Sequence, residues 1–461
     1  MDTRAWQHDA SGAKRPDDAL PGAPQSAGID KQRALGAVLV FVFPLLSLVT
    51  TFGVGLSSFT FLVIPLLLPR RAWTVLRRHW PATRWVIGAF LADLLLEGAS
   101  FIDRQPHGLS SFEKPVRMLF AVSAMLTVQL LRPKRGALWW GASCGAAAAA
   151  ALAAWQRWSL GIDRPGGDMN AITFGDLSLF LGLLALVGAH ECRIRSRAAW
   201  AVFGSACGLF ASLLSGSRGG WLILPFAAVV LMRRQRLLRG RGGLLLVSGI
   251  CLLLALVFVT PQTGVRQRIA AGARDVRAYV SADGAASSLS IRLELWRAAL
   301  MLARDHPLRG QSTADYKQQM HRWVDAGRLR PDVFAAPEPP HLHNDALQML
   351  VTHGLPGLAV WALLLLAPGH FFLGRIGRAA GRAGPVHLPA LAGLLLVLSY
   401  FGFGLSEVIF WSVKGNLFYA LMVFLLMAYC LNAQQPVQLY RPGRGRSAPP
   451  GNRRVGPGSR Q

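Results

Sequence analysis

Apolar residues in this chain come in long runs, without the alternation of a half-buried strand. The run at 34–52 carries no charge. It is as long as the roughly 20 residues a helix needs to cross a bilayer. Apolar runs, some with one to three charged residues, recur at 54–69, 84–102, 116–132, 137–155, 171–190, 198–214, 219–232, 242–260, 346–368, 385–408 and 413–433, which predicts about twelve transmembrane helices. Backbone groups in lipid must be satisfied within the segment, so such a chain folds as a helix bundle. The expected fold class is an all-α polytopic integral membrane protein.

Polar segments divide the rest. Residues 1–33 and 434–461 are polar and rich in Pro, Gly and basic residues, and both read as disordered tails. The N-terminal segment is too hydrophilic for a cleavable signal peptide. Residues 34–260 hold the first nine expected spans and 346–433 the last three. Between them lies a polar segment, 261–345, far longer than an ordinary connection. Helical patterning at 291–307 places Leu293, Trp296, Leu300 and Ala303 on one face, so this segment is expected to form a small helical cap.

Charge sets the orientation. Basic clusters follow the second, fourth, sixth, eighth and tenth spans: RRAWTVLRRHWPATR, RPKR, ECRIRSR, RRQRLLRGR and GRIGRAAGR. The intervening loops are short or nearly neutral. By the positive-inside rule both termini are cytoplasmic and the large loop lies outside, in the periplasm of a two-membrane cell. The same rule accounts for most of the formal charge of +26, so nucleic acid is not an expected partner. Composition agrees: 52% of residues are hydrophobic and 16% charged, against about 25% charged in soluble proteins. Cys144, Cys192, Cys207, Cys251 and Cys430 lie in or beside the spans without metal-ligand spacing, and predict neither a disulfide framework nor a metal cluster.

The residues suited to chemistry gather on the outer side. In SGSRGGW, residues 215–221, Arg218 sits between two apolar runs. An Arg at a membrane edge either snorkels or meets an anionic partner. Arg292, with Arg297 and Arg304, lies in SIRLELWRAALMLARDHPLRG. These guanidinium groups either bind phosphate through a planar fork or form a solvated face paired with Glu294 and Asp305. His341 and His343 stand in PHLHNDALQMLVTHGLPG, just before the tenth expected span. A neutral imidazole there can take a proton from a hydroxyl. Asn344 or Asp345 is also a candidate helix cap, which leaves the histidine roles intact. Asp93, Glu97, Asp176 and Glu407 are carboxylates in or near spans, and Asp176 and Glu407 are candidates to orient Arg218 or His343.

SRGGWL, R-x-E-x-W-x-x-A-x-M…HPLRG and HLHNDALQ…HGLPG occur in that order. Together they resemble the O-antigen ligase and polymerase superfamily of bacterial membrane glycosyltransferases. A single large outer loop is more similar to the ligase branch. The resemblance covers roughly 34–433, and its motifs show no departure from the family pattern. It implies a GT-C-like bundle in the inner membrane and a metal-independent, cofactor-free inverting transfer. The implied donor is O-antigen on undecaprenyl diphosphate, and the implied acceptor is lipid A–core. Residue by residue, Arg218 and Arg292 match the family's essential arginines and His343 its essential histidine, with His341 a weaker candidate. Arg157, Arg164, Arg266, Arg268 and Arg297 are candidate contacts for phosphorylated substrate, alongside Asp176 and Glu407.

Three rivals remain at this point. A polymerase would use a second lipid-linked repeat as acceptor, and deletion would leave single-repeat lipopolysaccharide. A related enzyme would glycosylate protein hydroxyls. A transporter of lipid-linked glycans would use Asp93, Asp176 and Glu407 as coupling groups, but the chain has no internal repeat of the kind many transporters carry.

Overall fold

A computed structural model describes residues 23–104, 112–189, 191, 195–217, 219–234, 288–334, 341–378 and 387–432. The described residues are helical, with no strand among them. In chain order the helices are α1 (Ala23–Leu46), α2 (Gly53–Leu67), α3 (Pro69–Arg104), α4 (Glu113–Phe120), α5 (Val122–Leu131), α6 (Gly136–Trp158), α7 (Ala171–Ala189), α8 (Arg195–Ser215), α9 (Ile223–Arg234), α10 (Ser288–Asp305), α11 (Thr313–Asp325), α12 (Asp345–Arg378), α13 (His387–Gly404) and α14 (Val413–Asn432).

Eight helical segments are long and apolar enough to cross a membrane: α3, α4 with α5, α6, α7, α8, α12, α13 and α14. Two shorter apolar segments, Gly53–Leu67 and Gly219–Leu231, accompany them. Helix overlaps every expected span except 242–260, which lies outside the described residues, and 47–52 and 405–408 of the expected spans are turns.

Two boundaries differ from expectation. Helix α1 begins at Ala23, so the expected disordered tail is shortened and residues 23–33 are helical. Helix α3 begins at Pro69 and runs through the basic segment expected to be a loop. Hydropathy sees only the apolar part of such a helix, while Arg, Leu and Ala extend it into polar surroundings at little cost. Trp73, Trp80 and Trp85 stay exposed on this extension, as indole does at a membrane interface.

Helices α7 and α14 form the centre of the bundle. Both are apolar on all sides and buried along nearly their whole length, the pattern of a helix surrounded by other helices. Phe418 of α14 packs against Phe43 and Phe180, with ring centroids 5.3 Å and 6.1 Å away. Phe424 meets Phe90 of α3 at 5.1 Å.

The described part of the large loop builds its own core. Leu295, Ala298, Ala299 and Leu302 of α10 pack with Tyr316, Met320 and Trp323 of α11. Of the face marked by helical spacing, Leu300 is 52% exposed, and the buried stripe is the one carrying Leu295 and Leu302. Both stripes have helical spacing, and contact with α11 decides between them.

Two glycines dock the cap onto α12. Gly310 follows α10 with φ +62°, and Gly354 kinks α12 with φ +66°. A Cβ on Gly310 would stand 2.5 Å from His353 N, and one on Gly354 would stand 2.6 Å from Pro307 O. Gln311 N donates to Val351 O at 2.8 Å, and Leu355 N donates to Pro307 O at 2.7 Å. The HPLRG and HGLPG motifs thus dock backbone to backbone, at positions where only glycine fits both the conformation and the space.

Candidate functional site

The two histidines precede α12 on a short turn. Asn344 caps that helix: its Oδ1 accepts from Leu347 N at 3.0 Å, as the capping alternative expected. His343 lies in the left-handed region with φ +49°. A side chain rarely adopts that conformation, and its surroundings must hold it there. Leu342, between the histidines, is fully buried. Its N–H donates to Gln348 Oε1 at 3.1 Å, and its carbonyl accepts from Trp296 Nε1 at 3.0 Å. The Trp of the R-x-E-x-W motif is therefore the link between the cap helix and the histidine turn.

Both histidines meet Glu407, which lies between α13 and α14. His341 Nε2 is 2.7 Å from Glu407 Oε1, and His343 Nδ1 is 3.3 Å from Oε2. The imidazole centroids are 4.2 Å apart. Glu407 is only 2% exposed. Burial raises its carboxyl, but hydrogen bonds from His341 and His343 outweigh that and bring it down to about 2. It is an ionised, buried carboxylate holding two imidazoles. The nitrogen and oxygen donors of His341, His343 and Glu407 lie within 4.8 Å of one another, a grouping also compatible with a metal ion.

Arg292 approaches this cluster from α10. Burial lowers its guanidinium from the usual value, and it feels Glu407, then Arg164, then Asp176. It forms no hydrogen bond or ion pair among the described residues and is half-buried. Arg164 lies beside the same cluster, its Nε 3.4 Å from Ser215 O. Asp176, fully buried on α7, accepts from Ser217 Oγ at 2.6 Å. Its Oδ2 has no partner among the described residues.

The SGSRGGW segment is pinned on both sides of Arg218. Ser217 bonds Asp176. A Cβ on Gly219 would collide with Ser406, and one on Gly220 with Asp176. Its glycines let this backbone pack against the turn that carries Glu407. Arg218 itself, with Arg266 and Arg268, lies outside the described residues.

His341, His343, Glu407, Arg292, Arg164 and Asp176 thus come together. Arg297 does not. Five residues beyond Arg292, it points about 140° around the helix. There it pairs with Glu294 at 3.1 Å and, with Arg304, lines a separate groove. Glu294 is therefore the partner of Arg297, and Arg292 is not part of that solvated pairing. Arg157 pairs with Asp163 at 2.6 Å at the end of α6. Ser217 and Trp296 were not singled out as site residues from sequence. Both stood inside the motifs, but only the fold shows that they orient Asp176 and the histidine turn.

The described residues define a polytopic helical membrane protein whose capped end gathers two histidines, a buried carboxylate and arginines. Residues 203–362 match the model of the O-antigen ligase family. Arg292, Trp296, His341 and His343 fall within the matched segment, while Asp176 and Glu407 lie outside it. An uncharacterized protein of Haemophilus influenzae is 22% identical over 325 residues, covering 69% of this chain and 80% of the relative.

Proposed function

We propose that this protein is an O-antigen ligase of the bacterial inner membrane, with both termini in the cytoplasm and its site facing the periplasm. It transfers O-antigen from undecaprenyl diphosphate to lipid A–core during lipopolysaccharide assembly. The observation that carries this reading is the pair of imidazoles on an ionised Glu407, with Arg292 beside it. The match of residues 203–362 supports it.

Glu407 engages His343 through Nδ1, which leaves Nε2 to face substrate in the tautomer protonated on Nδ1. His343 Nε2 takes the proton of the acceptor hydroxyl, and Glu407 stabilises the imidazolium that results. The acceptor oxygen forms a bond to the anomeric carbon as the carbon–oxygen bond to diphosphate breaks on the opposite side, inverting the centre. The electron pair leaves on the diphosphate, where Arg292 and Arg218 offset the growing charge. Fixed guanidinium groups supply this without a metal, because they bind phosphate oxygens in a planar fork. His341 shares Glu407 and holds the carboxylate in place.

The test is reconstitution. Purified protein is mixed with lipid-linked O-antigen and rough lipopolysaccharide, with EDTA and without nucleotide. The expected result is a ladder of glycan-bearing lipopolysaccharide that His343→Ala abolishes. A ladder lost in EDTA and restored by a divalent ion would make His341, His343 and Glu407 a metal site. No ladder from folded wild-type protein, with polymer forming from single lipid-linked repeats, would make the protein a polymerase.

A further inference from the structure

Beside the histidine turn, but built from other side chains, lies a cavity of about 360 Å³. It is lined by α3, α4, the start of α11, α12, the segment leading into α14 and the first turn of α14. Its size falls in the range of small-ligand sites. Asp345, two residues after His343, is part of its wall, as is Val408, which follows Glu407.

The polar atoms of this wall are poorly satisfied by the protein. Asp345 is 1% exposed and its Oδ1 accepts from Phe410 N at 3.3 Å, but Oδ2 has no partner among the described residues. Asn416, also 1% exposed, donates Nδ2 to Phe410 O at 3.2 Å, which fixes its amide orientation and leaves Oδ1 unpaired. Trp361 is 8% exposed, and its indole N–H has no acceptor among the described residues. Two acceptors and a donor in residues of one wall are buried and unpaired, and each is costly unless a small shift of the wall brings it to a ligand or water in the cavity.

The remaining wall narrows the chemistry. Phe101, Phe410 and Trp411 supply apolar ring surface, with Lys114 Nζ seated 5.0 Å from the Trp411 centroid. Glu97 pairs with His353 at 3.4 Å, and Asp93 stands in the same wall. A free phosphate would face three carboxylates, Asp93, Glu97 and Asp345. An acyl chain would leave the unpaired polar atoms unmet. A hydroxyl both donates and accepts from one atom, and a pyranose ring offers several hydroxyls along with apolar C–H faces that lie on aromatic rings.

We infer that this cavity is a saccharide subsite, which seats a sugar residue so that a hydroxyl or anomeric carbon reaches the His343–Glu407 pair. The inference rests on the glycosyl-transfer reading above. The subsite shares no side chain with the Arg164, Asp176 and Arg292 cluster, so the sugar and the diphosphate are held by separate parts of the protein. The sugar belongs either to the acceptor core or to the donor glycan, and the same chemistry serves both.

Calorimetry on the full detergent-solubilised chain separates them. One probe is deacylated core oligosaccharide, and the other is O-antigen polysaccharide released from its lipid. Trp361→Phe removes the indole N–H together with the pyrrole part of the ring, and Asn416→Leu removes the amide. One probe is expected to bind wild-type protein, and Trp361→Phe is expected to weaken that binding about tenfold, the effect of one lost hydrogen bond. The KM for the substrate carrying that saccharide rises by a similar factor while kcat changes little. Binding of the core probe assigns the subsite to the acceptor, and binding of the O-antigen probe assigns it to the donor. If neither probe binds, or if both variants bind as tightly as wild type, the inference is overturned. Binding is read without turnover, so a protein that fails to transfer glycan yet binds a probe overturns the ligase reading and leaves the subsite standing.

Discussion

His341 Nε2 and Glu407 Oε1 lie 2.7 Å apart although 66 positions separate them in the chain. The same carboxylate reaches His343 through its other oxygen. Glu407 touches no substrate in the proposed mechanism, so it is a positioning residue for His343. Glu407→Gln keeps the shape of the side chain but removes its charge. The expected outcome is a fall in kcat of about tenfold to a hundredfold with KM nearly unchanged. His343→Ala is expected to fall further, by about 10²–10⁴. Steady-state transfer assays on both variants decide the matter, and a Glu407→Gln enzyme with wild-type kcat would remove the carboxylate from the mechanism.

Trp296 holds the turn from the other side, through its bond to the Leu342 carbonyl. Trp296→Phe keeps most of the ring but loses the donor, and leaves a buried carbonyl unpaired. One such loss costs about 1–3 kcal/mol, and here it falls on a backbone already in the left-handed region at His343. The expected outcome is protein that purifies and melts close to wild type but turns over several-fold more slowly. A large drop in Tm with normal kcat in the surviving protein would mean that Trp296 supports the cap and not the site.

Much of this was legible in the sequence, and the reason differs from element to element. Apolar run length marked α7 and α14 because a helix buried on all sides is apolar on all sides. The glycine-flanked Arg218, the RxExW helix and the HxH turn stood out because close backbone approach, anion binding and proton transfer each need particular residue types. Contact across the chain was not legible. Asp93, Lys114, Trp361 and Asn416 belong to separate helices, and nothing in their spacing shows that they wall one cavity. The buried face of α10 was not legible either, because two apolar stripes compete on that helix, and only packing against α11 chooses between them.

The glycines beside Arg218 give a test of placement by paired substitution. A Cβ on Gly219 would meet Ser406 Oγ and Cβ, next to Glu407. Gly219→Ala should therefore push this backbone away from Ser406, with transfer falling well below a tenth of wild type. Ser406→Gly clears both obstructing atoms, so the double variant Gly219→Ala/Ser406→Gly should regain much of the lost activity. Measured transfer in the single and double variants forms a cycle. Strictly additive losses would show that the two positions do not press on each other.

Glu407 also predicts a pH dependence of stability. Its carboxyl lies at about 2 in the folded protein, against an ordinary 4.5. The unfolded chain therefore binds a proton at this residue in a range where the folded chain does not. The folded state is favoured in full above about pH 4.5, and the contribution is lost as pH falls through that value towards 2. Its full size is on the order of 3 kcal/mol. Thermal melts of the detergent-solubilised protein between pH of about 6 and about 3 should show wild type losing Tm more steeply than Glu407→Gln, which has no carboxyl to titrate. The two curves should draw together towards the acid end without meeting, because a carboxyl at about 2 is still largely ionised at pH of about 3. Parallel curves across that range would mean that the two histidines do not hold Glu407 in its ionised form.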